Sequence, residues 1–114
     1  MANWRLDMRI PVVFGGTPEA GDAVLIEGDA PAPAGFHAIR LRLPAGQAHP
    51  IGCACCAPRG PAAEALSRAF LDRATGKAPF FTRVLVLAGA DGAGAVAAAV
   101  AQDAVVSARY RQAA

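Results

Sequence analysis

The stretch His49-Pro50-Ile51-Gly52-Cys53-Ala54-Cys55-Cys56-Ala57-Pro58-Arg59-Gly60 holds every cysteine of the chain and one of its two histidines. Cys53, Cys55 and Cys56 fall within four positions, framed by Pro50, Gly52 and Pro58, a pattern that predicts a stiff loop with converging sulfurs. Thiolates are soft ligands and suit Zn(II) or Cu(I) better than harder cations. Three of them leave one tetrahedral position, open to His49, another side chain, water or a transferred ligand. His49 lies four residues before Cys53 and can fold back across Pro50. Neighbouring side chains such as Cys55 and Cys56 usually point apart, which favours a labile, open site over a closed structural one.

The same residues admit two other readings. Thiols also serve as small buried apolar groups. In a redox reading, Cys53 or Cys55 attacks and a neighbour resolves. Arg59, or the start of a following helix, would lower the thiol pKa that such chemistry needs. The spacing is not the usual Cys-x-x-Cys, although two residues do separate Cys53 from Cys56.

A chain of 114 residues fits one domain, 1–114, able to bury a core without staples. Its 54% apolar and 18% charged content argues against disorder. A net charge of +2, with dispersed Lys and Arg and 6% aromatic residues, leaves no footprint for nucleic acid. Met1 to Asp7 has no continuous apolar run, so no signal peptide is expected. Val84 to Ala101 is apolar but interrupted by Gly89-Ala90-Asp91-Gly92-Ala93-Gly94, which reads as a turn, so no membrane span is expected either. An odd cysteine count without a secretion signal implies reduced thiols and a cytoplasmic location.

The elements that must position the cysteines follow from periodicity. Met8 to Phe14 predicts a strand, with Pro11 near its start. Ala23 to Glu27 is a buried strand or a single helical turn. Residues 30–35 form a stiff linker. From Ala38, Ile39, Leu41 and Leu43 alternate with Arg40 and Arg42, giving a half-buried strand. Pro61 to Thr75 is the clearest helix, with proline at its first position and Gly76 at its end. Arg83 to Leu87 is a strand buried on both faces. Ala93 to Gln102 and Ala104 to Arg111 read as helices. The expected fold is α/β, a two- or three-layer arrangement around about four strands. The gap between the first two strands is too short for a crossover helix, which suggests one antiparallel pair.

From Gly52 onward the chain resembles the CobW-like metallochaperone GTPases. The resemblance rests on the loop Gly52-Cys53-Ala54-Cys55-Cys56 and the helix carrying Glu64, Ala65 and Leu66. It continues through Arg73 to Phe80, the strand Arg83-Val84-Leu85-Val86, and the tail from Gln102 to Tyr110. It implies a truncated P-loop NTPase-like sheet with zinc, or a related divalent ion, at the cysteines. Gly16-Thr17-Pro18-Glu19-Ala20-Gly21 outlines a phosphate loop, but Asp22 replaces its lysine and Ala23 its Ser or Thr. Asp22 would repel phosphate, and Ala23 has no hydroxyl for Mg(II). Leu87-Ala88-Gly89 stands where the resemblance implies acidic and hydroxyl residues, so GTP hydrolysis is not expected.

The remaining polar residues read mostly as structural. Glu19, Asp22, Glu27 and Asp29 are turn residues or auxiliary carboxylate ligands. Arg40 and Arg42 are a solvated face or a surface for an acidic partner. His37 is structural or exposed, and Gly89 with Gly92 to Gly94 is a turn or an anion-binding helix start. Together these readings predict a non-hydrolysing metal-binding protein. Zinc would be held by Cys53, Cys55, Cys56 and His49, in a carrier, sensor or module for a protein partner. The alternatives are a thiol-redox protein and a structural homodimer joined through a sheet edge.

Overall fold

The computed structural model describes residues 7–43 and 60–113. Its elements are β1 (Ile10–Phe14), β2 (Asp22–Glu27), β3 (His37–Leu41), α1 (Pro61–Thr75), β4 (Arg83–Leu87), α2 (Ala90–Gln102), α3 (Ala104–Arg109) and β5 (Tyr110–Gln112). The strands form one sheet in the order β3-β2-β4-β1-β5, and every pairing is parallel.

The connections explain how a short gap serves a parallel pair. Passing from β1 to β2 moves two places across the sheet, over β4. A five-residue strand is about 17 Å long and two strand spacings add about 10 Å, so the path is roughly 20 Å. The seven residues 15–21 reach about 23 Å when extended, which is just enough. No antiparallel pair is needed, and the expectation of one is corrected.

Handedness then sorts the connections between the two faces. The helical crossovers β3-α1-β4 and β4-α2-α3-β5 move one way across the sheet; the linkers β1–β2 and β2–β3 move the other way. Right-handed crossovers therefore put all three helices on one face and both linkers on the opposite face. Side chains agree. Asp22 and Arg83 alternate with the helix-facing Ala23 and Val84, and the linker residue Glu19 donates its N–H to the Asp22 carboxylate at 2.8 Å. Arg40, opposite in direction to Ile39 and Leu41, donates to the carbonyls of Gly28 and Ala30 in the second linker.

The helix face carries the main core: Ile10, Val12, Ala23, Leu25, Ile39, Leu41, Val84, Val86 and Tyr110 pack with Leu66, Val96 and Val106 from the helices. On the linker face Val24, Ile26 and Leu85 are also buried. Burial on both sides is why β2 and β4 read as unbroken apolar runs, and it resolves Ala23 to Glu27 as a strand.

The boundaries of α2 and α3 differ from the sequence expectation. The stretch from Gly89 to Gly94 is not a turn: α2 begins at Ala90, with Gly89 as its N-cap. The Glu27 carboxylate accepts the Gly89 N–H at 3.0 Å, and a Cβ on Gly92 would stand 2.6 Å from the same oxygen. The glycine lets the helix start against β2. At the other end, α3 stops at Arg109 and β5 follows, a fifth strand where helix to Arg111 was expected. Tyr110 is fully buried there and donates its hydroxyl to the Leu66 carbonyl at 2.8 Å.

Candidate metal centre

Cys53, Cys55, Cys56 and His49 lie outside the described residues, as does Arg59. The structure defines the two ends of their segment. On one side Leu43, just past β3, packs against the core. On the other, Gly60 is the extended N-cap of α1 and Pro61 its first residue, and glycine has no side chain with which to cap the helix. Proline removes one of the N–H groups a helix start leaves unsatisfied, and the rest give this end a partial positive charge. That field favours a thiolate or another anion close to it.

Beside this end runs a groove of about 390 Å³ between α1 and α2, lined by Gly60, Pro61, Ala62 and Ala63 on one wall and by Ala95, Ala98, Ala99, Gln102 and Asp103 on the other. The alanines make its walls shallow and largely apolar. Asp103 accepts from the N–H groups of Val105 and Val106, as N-cap of α3.

The carboxylates considered as auxiliary ligands are held elsewhere. Asp22 is buried and receives both Nε and Nη2 of Arg83, at 2.8 and 2.7 Å. The Arg83 bonds hold its carboxyl below the ordinary range, against the opposing effect of burial. Glu19 stands 3.8 Å from Arg83, Glu27 caps α2, and Asp29 pairs with Arg42 at 2.8 Å on the surface. Arg42 holds the Asp29 carboxyl below its usual range as well. Among the described residues, no group of three or more His, Cys, Asp or Glu side chains is placed to hold a metal ion.

The phosphate-loop outline is not realised as one. Asp22 and Ala23 open strand β2, so no helix begins there to offer amides to a phosphate. The anion at the start of α2 is the protein's own Glu27. His37 lies flat against Phe81, with ring centroids 6.3 Å apart and planes 9° from parallel. Arg73 donates from Nε to the Phe81 carbonyl at 2.6 Å and lies 3.6 Å from the centre of the Phe80 ring, leaving Phe80 exposed beneath a guanidinium.

Sequence reasoning did not foresee the Asp22–Arg83 pair, whose members are 61 residues apart. Each begins an apolar strand, and that shared position was the signal available. No helix among the described residues is long and apolar enough to cross a membrane. No protein-family model, curated protein or solved structure matches the chain.

Proposed function

We propose that the chain is a metal-binding module that takes zinc through Cys53, Cys55 and Cys56, with His49 as fourth ligand, and that it acts as a carrier, sensor or partner module without hydrolysing nucleotide. The observation that carries this reading is the crowding of three thiols and a histidine into eight positions, 49–56. Two features of the fold support it. Nineteen residues, 42–60, separate β3 from α1, whereas strand-to-helix loops of this fold class commonly need only about 2–6. Asp22, Glu27 and Asp29, weighed as auxiliary carboxylate ligands, are each engaged within the fold, so the ligand set proposed is the three thiols with His49.

The test is elemental analysis of protein purified under reducing conditions. Zinc near one equivalent per chain is expected, falling at least about tenfold in affinity in Cys53→Ala and Cys55→Ala. Less than about a tenth of an equivalent, with no uptake on titration, overturns the proposal.

The positive start of α1, with glycine as its N-cap, favours the thiol-redox reading as the second choice. It predicts a cysteine that alkylates rapidly below neutral pH and recovers after mild oxidation. Uniformly slow alkylation at neutral pH excludes it.

A further inference from the structure

Two arginines meet beside the short edge strand. Arg9 directly precedes β1, and Arg111 of β5 stands in register with Pro11. With Val100, Ala101, Ser107 and Gln112 they line a cavity of about 320 Å³. Arg9 has a clear structural role, since its Nη1 donates to the Ser107 carbonyl at 3.2 Å. That contact partly offsets the negative carbonyl end of α3. Arg111 has no such account. Among the described residues its buried Nε–H finds no hydrogen-bond acceptor, although the side chain as a whole is 37% exposed, and Asp7 Oδ2 is 3.7 Å away. That is too long for a hydrogen bond, and a buried charged donor left without one is costly.

Asp7 is held by the other arginine. Its Oδ1 accepts from Arg9 Nε at 3.0 Å and its Oδ2 from Nη2 at 2.9 Å. A guanidinium fork engages phosphate oxygens in the same bidentate way. The side chains of Arg9 and Asp7 are 43% and 44% exposed, so the carboxylate can swing into solvent and release the Arg9 fork.

We propose that this cavity is an oxyanion site, taking the phosphate group of a small ligand between Arg9 and Arg111, and that Asp7 is an internal carboxylate which the ligand displaces. Phosphate has the oxygens to engage both guanidinium groups together, including the donor that Asp7 fails to reach. The carbonyl end of α3 beside the cavity disfavours an anion, so the two guanidinium charges must carry the binding. The cavity is built from residues separate from the cysteine segment, so it stands or falls independently of metal binding.

The test titrates the full chain with inorganic phosphate at constant ionic strength, following the arginine Nε–H resonances by NMR. Saturable shifts of the Arg9 and Arg111 signals are expected. Asp7→Ala should tighten binding by about tenfold, because the competing carboxylate is gone. Arg111→Gln should abolish it, and Arg111→Lys, which keeps the charge without the fork, should weaken it at least about fivefold. Shifts no larger than those caused by chloride overturn the proposal. So do an equal response to acetate, unchanged or weaker binding in Asp7→Ala, and unaltered binding in Arg111→Lys. Should Arg111→Gln fail to fold, the Asp7→Ala result decides alone.

Discussion

Asp22 shows how a single residue can be given the wrong company by its local sequence. In a row of glycines it looks like a damaged phosphate ligand; in space it is the buried half of a bidentate ion pair that ties β2 to β4. Removing it strands Arg83, whose side chain is 26% exposed. Asp22→Ala is therefore expected to cost about 2–4 kcal/mol in denaturant unfolding, below the full value for a wholly buried pair. Its pH signature follows from the lowered carboxyl pKa. The contribution is fully present above the ordinary value of 3.8 and is lost as pH falls through the lower folded value. Wild-type stability should drop more steeply than that of Asp22→Asn on acidification below about pH 4; parallel curves would remove the pair from the account. Tyr110 makes the opposite case. Burial pushes its phenol above the usual value, so it stays protonated and keeps donating to the Leu66 carbonyl. Tyr110→Phe should cost about 1 kcal/mol, measured the same way.

Among the elements, α2 is the most instructive. Its glycines look alike in the sequence and differ in the structure. Gly92 is pressed against the Glu27 carboxyl group, whereas a Cβ on Gly94 would meet nothing within 4 Å. Gly94→Ala should stabilise the fold by about 0.5–1 kcal/mol, through helix propensity and a less flexible unfolded chain. Gly92→Ala must push the Glu27 side chain away from Gly89, and should destabilise by about 1 kcal/mol despite the same gain in propensity. Thermal unfolding of the two variants side by side checks this, and a shared sign would refute the packing explanation. The extended linkers matter as much as the helices. The side chains of Asp22 and Arg40 hold them to their face of the sheet.

At the scale of the whole molecule, the sheet and three helices pack into one core among the described residues. Leu25, fully buried in the middle strand region, should cost about 2–5 kcal/mol when truncated to alanine. Stripping a bound metal should behave differently. Chelation is expected to lower the melting temperature only by the binding free energy linked to folding, leaving the far-ultraviolet circular dichroism unchanged. Collapse of the spectrum on chelation would instead make the metal part of the fold.

Helix α1 was legible to the residue, because Pro61, Gly76 and the spacing of Leu66 and Phe70 all act within one element. So were β4 and the alternation of β3, which a two-residue period writes directly into the chain. Strand β5 was not, since three residues carry no period and Tyr110 finds its place only through Leu66 of a distant helix. The start of α2 depended on the end of β2, and the all-parallel order on how far an extended linker reaches. The cysteines were conspicuous in the sequence as chemistry. Residue type and spacing alone establish which atoms are available to bind, whereas the pairing of Asp22 with Arg83, and the placing of Arg9 and Arg111 around one cavity, arise only when parallel strands bring distant positions side by side.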